Sequence, residues 1–167
     1  MYYCTYKSKI GLLYLISDGE SLIGSYLEGQ KYFPNNIDNY YLNEELSILA
    51  KSKDWLEKYF NGENPSIDEI PLNYIGTEFR KTVWEVLKDI SYGELVTYKH
   101  IAEKIAKAKG LETMSAQAVG GAVGHNPLLI FIPCHRVIGV DGSLTGYAAG
   151  LENKRFLLNL ESDNNHY

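Results

Sequence analysis

Apolar and polar positions along the chain change period several times, and each change predicts an element. Residues 12–16, Leu-Leu-Tyr-Leu-Ile, follow Lys9-Ile10-Gly11 and read as strand. Ser17-Asp18-Gly19-Glu20 supplies turn chemistry, and residues 21–27 return, so a hairpin is predicted inside the Tyr-, Ile- and Leu-rich segment 1–28. Residues 30–41, with Pro34-Asn35-Asn36, read as loop. From Asn43 the period becomes helical. Asn43 is the predicted N-cap and Glu44 and Glu45 suit the first turn; Leu46, Leu49, Leu56, Tyr59 and Phe60 form an apolar stripe that runs to Asn61-Gly62. Residues 64–74 contain Pro65 and Pro71 and predict an extended linker, so a domain boundary is placed after residue 74.

The second half is mainly helical in pattern. Thr77 caps a helix with Phe79, Val83, Trp84, Val86, Leu87 and Ile90 inward, broken by Tyr92-Gly93. Thr97 caps a second helix over 98–107, with Ile101, Ala102, Ile105 and Ala106 inward, and Gly110 ends it. Residues 115–124 form a third, with Ala116, Val119, Gly120 and Ala122 inward. Two short helices joined by a tight Gly-containing turn suggest a helix-turn-helix, although many helical hairpins bind no DNA. Glycine costs about 1 kcal/mol relative to alanine in a helix. Gly120, Gly121 and Gly124 therefore imply close backbone approach, either to another helix or to a DNA backbone. Asn126-Pro127 turns the chain into the apolar run 128–132. A short strand is predicted over 137–140, a hairpin turn at Asp141-Gly142, a small-residue loop over 146–150 and a last helix over 151–160 bearing Leu151, Leu157, Leu158 and Leu160. Residues 162–167 are polar and are expected to fray.

Composition adds bounds. A chain of 167 residues fits one or two small domains with a working core. No apolar run approaches the roughly 20 residues of a membrane span, and the N-terminus lacks signal-peptide features, so no membrane and a cytoplasmic location are expected. The net charge of −5 argues against a strongly basic nucleic-acid domain, but the charge is uneven. Residues 1–76 hold six Lys and eleven Asp or Glu, whereas residues 77–161 hold ten Lys or Arg and nine Asp or Glu. Only the second part offers polyanions a face that does not repel them. Cys4 and Cys134 are the two cysteines; neither has the spacing of a zinc site, and a reducing compartment disfavours their pairing.

Cys134 carries the candidate chemistry. Pro133 cannot donate to a sheet ladder, so the run 128–132 delivers the thiol at the end of a buried element. His135 and Arg136 follow at once, and imidazole and guanidinium groups favour the reactive thiolate. A Cys-His pair alone is a weak signal, because free cysteines are usually small buried hydrophobes. The full string is more specific: Asn126-Pro127, then Pro133-Cys134-His135-Arg136-Val137, Gly142 and Gly146-Tyr147.

Over residues 77–161 this pattern resembles the catalytic domain of the O6-methylguanine-DNA methyltransferases; the first half matches in size and in its hairpin-plus-helix outline. The resemblance implies an α/β (α+β) fold, with a small antiparallel-sheet, ribonuclease-H-like domain over 1–74 and a helical alkyltransferase domain with a DNA-binding helix-turn-helix over 75–167. It implies repair of O6-alkylguanine in double-stranded DNA by a single irreversible transfer onto Cys134, with base flipping, no cofactor, no metal and a monomer. O4-alkylthymine is a second candidate substrate. His135 would take the thiol proton through a water, Glu161 would hold and polarise His135, Tyr147 would hydrogen-bond the leaving guanine, and Asn126 would tie the recognition helix to the active-site segment. Pro133, Val137 and Ala148 would line the base pocket. Thr97, Tyr98, Arg136, Gly120 and Gly121 would meet DNA, Tyr98 by crowding the phosphate beside the target nucleotide. Two positions depart from the family pattern. Gln117 stands where an arginine usually fills the gap left by the flipped base, and Ala148 stands where some members carry a serine. A non-catalytic lesion-binding relative would lack Cys134. A helix-turn-helix regulator with a structural Cys-His would suit the acidic charge. A thiol hydrolase would normally place its base far from the cysteine in sequence.

Overall fold

The computed structural model of the protein describes residues 1–162; the predicted polar tail lies, apart from Ser162, outside them. The fold is mixed α/β, as expected. The chain divides into two units, residues 1–75 with 127–131, and residues 76–126 with the chain from 132 onward.

In the first unit the alternating segments form β1 (Tyr2–Ser8), β2 (Gly11–Ser17) and β3 (Leu22–Leu27), an antiparallel meander. The predicted hairpin is β2–β3. Asp18 Oδ1 closes its turn by accepting from the N–H groups of Glu20 and Ser21. The predicted loop gives way to a short edge strand, β4 (Tyr41–Leu42), parallel to β1, so the sheet order is β3-β2-β1-β4. Helix α1 (Ser47–Phe60) packs on β1 and β2 and buries Leu49, Trp55, Leu56, Tyr59 and Phe60, while Cys4, Leu13 and Leu15 are fully buried in the sheet. The helix starts later than predicted. Asn43 spends its side chain on the N–H of Glu45 in a local turn, a bond that competes with helix. Leu46 becomes the N-cap residue and offers no side-chain cap. The apolar run 128–132 is buried but is not a strand. It meets β3 at the bridge Ser25↔Leu128, Ile130 has φ +76°, and Phe131 stacks on Trp55 at 4.7 Å between centroids.

In the second unit α2 (Glu78–Lys88) is capped by Thr77, whose Oγ1 accepts from the N–H of Arg80. Strand β5 (Val96–Thr97) leads into α3 (Tyr98–Lys109), where Thr97 Oγ1 accepts from the N–H of His100 and Gly110 closes the helix at φ +68°. Helix α4 (Ala116–Gly124) is capped by Ser115. Trp84 is buried and donates its indole N–H to the carbonyl of Ala122 at 2.9 Å, joining α2 to α4. Ala116, expected inward, is exposed; Val119, Ala122 and Val123 form the buried face. The predicted strand after Cys134 shortens to β6 (Val137–Ile138). The turn at 139–143 is present, but no strand returns from it; β6 pairs instead in parallel with β5. Helix α5 (Leu151–Glu161) ends the described chain.

The α4 glycines separate the two explanations offered for them. A Cβ at Gly120 would touch the Tyr98 ring at an ordinary 3.8 Å, and a Cβ at Gly121 or Gly124 would meet nothing within 4 Å. Helix packing therefore does not require glycine at Gly121 or Gly124.

Candidate active site

The peptide around Pro133 fixes where the thiol sits. Proline holds φ near −65°, and Pro133 takes φ −81° and ψ 63°, close to an inverse γ-turn. The turn closes through the N–H of Cys134 donating to the carbonyl of Ile132 at 2.8 Å. The same carbonyl accepts Nδ2–H of the buried Asn126, also at 2.8 Å. Asn126 directly follows α4 and its cap residue, so this bond ties the end of that helix to the turn that bears Cys134. A one-turn 3-10 helix, Cys134–Arg136, then buries three functional side chains in succession.

Cys134 is a free thiol, 5 % exposed. Burial pushes it above its ordinary value, while the Asn126 side chain and the Lys154 ammonium pull it back. The resting thiol is therefore protonated at neutral pH and needs a base. His135 is fully buried, and its Nε2–H is hydrogen-bonded to Glu161 Oε2. Burial lowers the His135 pKa, against the opposing pull of Glu161, so the ring is neutral near pH 7. With Nε2 donating to the carboxylate, the neutral ring carries its basic lone pair on Nδ1. Burial alone would raise Glu161, but His135 and then Arg136 outweigh it and hold the carboxyl well below the usual range.

Glu161 is the hub of this network. Its Oε1 accepts from Arg136 Nε at 2.6 Å and from the N–H of Gly93 at 3.1 Å. Gly93 has φ +79°, and an added Cβ would lie 3.2 Å from the carbonyl of Glu161, so glycine is required at that close approach. Arg136, expected at DNA, is buried: it bonds Glu161 and the carbonyl of Ile90, and its guanidinium lies 5.8 Å from the Tyr92 ring.

The remaining predicted residues separate into buried and open sets. Pro133 and Val137 are buried beside the thiol, and Ala148 is half-buried. The Tyr147 hydroxyl is buried with no hydrogen-bond partner among the described residues, and burial, then Cys134 and Glu161, push its pKa well up. Tyr98 is half-buried and donates to the carbonyl of Thr145 at 2.9 Å. Thr97 spends its hydroxyl on the α3 cap. Gln117 and Gly121 are exposed on α4, with Gly120 partly covered. Sequence reasoning missed Lys154, a fully buried lysine. The signal was present: Lys154 lies three and four residues before Leu157 and Leu158, on the stripe the last helix turns inward.

Known proteins match this chain along nearly its whole length. The family described as 6-O-methylguanine DNA methyltransferase, DNA binding domain, matches residues 78–163, and its ribonuclease-like domain matches residues 1–74. The chain belongs to the 6-O-methylguanine DNA methyltransferase family. Among curated family members, the methylated-DNA–protein-cysteine methyltransferase of Haemophilus influenzae is 45% identical over 161 residues, covering 96% of this chain and 86% of the relative. The one from Methanosarcina acetivorans is 45% identical over 162 residues, covering 96% and 98%. Among solved structures, Mycobacterium tuberculosis OGT in complex with DNA superposes with TM-score 0.85 at 38% identity, covering 96% of this chain and 92% of that one. The O6-methylguanine DNA methyltransferase of Methanococcus jannaschii gives TM-score 0.66 at 30% identity, covering 96% and 93%. The 6-O-methylguanine DNA methyltransferase family is thus a family of DNA alkyl repair, and this chain is a methyltransferase of it. Among the described residues no helix is long and apolar enough to cross a membrane.

Proposed function

We propose that this chain repairs O6-alkylguanine in double-stranded DNA by moving the alkyl group once, irreversibly, onto Sγ of Cys134. The observation that carries the reading is the buried run Cys134-His135 with Glu161 behind the imidazole. It is a nucleophile, a base and an orienting carboxylate in one desolvated place. Nδ1 of His135 takes the thiol proton, through a water, and Glu161 stabilises the imidazolium. The thiolate attacks the alkyl carbon; the S–C bond forms as the C–O6 bond breaks, and the electron pair goes to the guanine. Tyr147 donates its hydroxyl hydrogen bond to that base. An unpartnered buried hydroxyl costs about 1–3 kcal/mol, so the site is built to satisfy it when the base arrives. Arg136 acts within the protein, holding Glu161 ionised. No cofactor takes part.

The target nucleotide is flipped out of the duplex into a pocket bounded by Pro133, Val137 and Ala148, at a cost of a few kcal/mol that is smaller for a weakened pair. Helix α4 enters the minor groove, with the open faces of Gly120 and Gly121 against the DNA backbone and Gln117 facing the orphaned cytosine. Tyr98 and the capped N-terminus at Thr97 approach the phosphate beside the target. Residues 75–167 carry this chemistry and residues 1–74 form a separate ribonuclease-like domain; the working form is a monomer, and O4-alkylthymine is a second substrate. The test is the intact mass after incubation with duplex DNA holding one O6-methylguanine, with Cys134→Ala alongside. One added methyl, mapped to the Cys134 peptide and absent in the variant, supports the reading. Lesion-selective binding without a mass gain makes the protein a sensor, and the absence of both a mass gain and a lesion preference overturns the reading altogether.

A further inference from the structure

Lys154 is the group that the proposed chemistry leaves unused. Its side chain is fully buried on α5, and a buried ammonium demands partners. It has three: Nζ donates to the carbonyls of Val137 at 2.6 Å, Thr145 at 3.0 Å and Gly146 at 3.3 Å. Val137 begins β6, three residues after Cys134. Thr145 and Gly146 immediately precede Tyr147 in a segment without regular secondary structure. The carbonyl of Thr145 also accepts the Tyr98 hydroxyl, so two side chains from two helices hold one peptide of that loop. Three ammonium hydrogens and three carbonyls match one to one, which a neutral side chain of similar length does not reproduce.

The titratable groups facing this lysine are Cys134 and His135 from the 3-10 turn and Tyr98 from α3; β6 and the loop present backbone carbonyls. Burial lowers Lys154 from its ordinary value to about 8, and Cys134 raises it. At neutral pH it is therefore a buried cation that a thiolate at Cys134 would stabilise, and that would stabilise the thiolate in turn.

We infer that Lys154 is a positioning residue of the alkyl-transfer site: its ammonium clamps the Thr145–Gly146 peptides onto β6, which sets Tyr147 in place, and it is the counter-cation of the Cys134 thiolate. The inference rests on the proposed alkyl transfer for its purpose, but the clamp exists with or without that reaction. Other surface features carry less; the groove between α3 and the loop 111–116, for example, has nothing that identifies an occupant.

The test uses Lys154→Met and Lys154→Gln in the full chain. Amide hydrogen exchange should accelerate at least tenfold in residues 143–150 of both variants while α2 and α3 keep their protection. The pH curve for iodoacetamide reaction at Cys134, read from its peptide mass, should move to higher pH. The single-turnover rate with duplex O6-methylguanine should fall at least tenfold. Unchanged exchange in 143–150 overturns the clamp, and an unmoved iodoacetamide curve overturns the counter-cation. If the wild type itself gains no methyl group, the repair reading fails, while exchange and iodoacetamide still decide the role of Lys154. Should neither variant fold, nitrogen-15 spectroscopy of the wild-type lysine ammonium groups decides. One slowly exchanging Nζ signal titrating near pH 8 is expected, and its absence in the cold at pH 6 refutes the inference.

Discussion

Replacing Glu161 by Gln is the sharpest single perturbation of this site, because it keeps the volume and removes the charge. The carboxylate accepts from His135 Nε2, from Arg136 Nε at 2.6 Å and from the N–H of Gly93 at 3.1 Å, and its side chain is 1% exposed. In Glu161→Gln one oxygen becomes an NH2 group. Either His135 or the Arg136–Gly93 side then faces a donor. Removing one partner of a buried ion pair costs about 3–5 kcal/mol. The surviving amide oxygen keeps some bonds, so about 3 kcal/mol is expected, or roughly 6–12 °C in Tm at about 2–4 °C per kcal/mol for a chain of this size. The rate should suffer more. A general base contributes about 10²–10⁴-fold, and losing its orienting carboxylate forfeits much of that. We therefore expect single-turnover methyl transfer at pH 7.5 to slow by about 10²–10⁴-fold at a temperature where the variant is fully folded by circular dichroism. A folded variant within threefold of wild type would refute the triad role for Glu161.

Acid should expose the same network. Glu161 titrates below its unfolded value, so its stabilisation is complete above about pH 4.3 and is lost as pH falls from there toward its lower folded pKa. His135 is also lowered, so below about pH 6.5 the unfolded chain binds the extra proton and stability declines further. Urea midpoints at pH 7.5, 5.5 and 4 should decrease in that order, with a shallower final step in Glu161→Gln. Tyr147→Phe removes a buried hydroxyl that has no partner among the described residues; Tm should hold or rise slightly while transfer slows about 10- to 100-fold, and an unchanged rate would remove Tyr147 from the chemistry. At Gly121 an added Cβ meets nothing within 4 Å, so Gly121→Ala should stabilise α4 by about 1 kcal/mol while weakening DNA binding in a gel-shift titration; retained affinity would argue against backbone approach there. Gln117→Arg should raise the repair rate, and no change or a loss would count against an intercalating role for this position.

Local chemistry was the legible part of this fold. Thr77 and Thr97 cap the helices they were expected to cap, Ser115 caps the helix it was expected to begin, and Gly110 takes the left-handed turn that ends α3, because each signal acts within four residues. What escaped depended on distant partners. Asn43 had two local outlets and took the turn, which moved the start of α1. The segment after Cys134 carried the turn of a hairpin, but its strand found β5 about 40 residues upstream. Arg136 was expected to meet DNA; its partners are Glu161 and the carbonyl of Ile90, 25 and 46 residues away. Lys154 was hidden by habit, since a lysine inside an apolar stripe is ordinarily taken to snorkel outward.

The electrostatics of the second unit suit the proposed single transfer, in which the nucleophile waits until the substrate arrives. Burial raises the Cys134 thiol, so it stays protonated at neutral pH. Burial also keeps His135 neutral, so the base is ready. Glu161 stays ionised because Arg136 and His135 outweigh its own desolvation. Each group is held one proton transfer from the reactive state, and that transfer creates a buried thiolate–imidazolium pair. The pair is expensive unless its neighbours compensate. In the proposed transfer Glu161 would stabilise the imidazolium and Lys154 the thiolate, and both charges are already buried in the resting protein. An enzyme that must turn over would need to reset this arrangement after each cycle. A protein that reacts once, as proposed for this chain, does not.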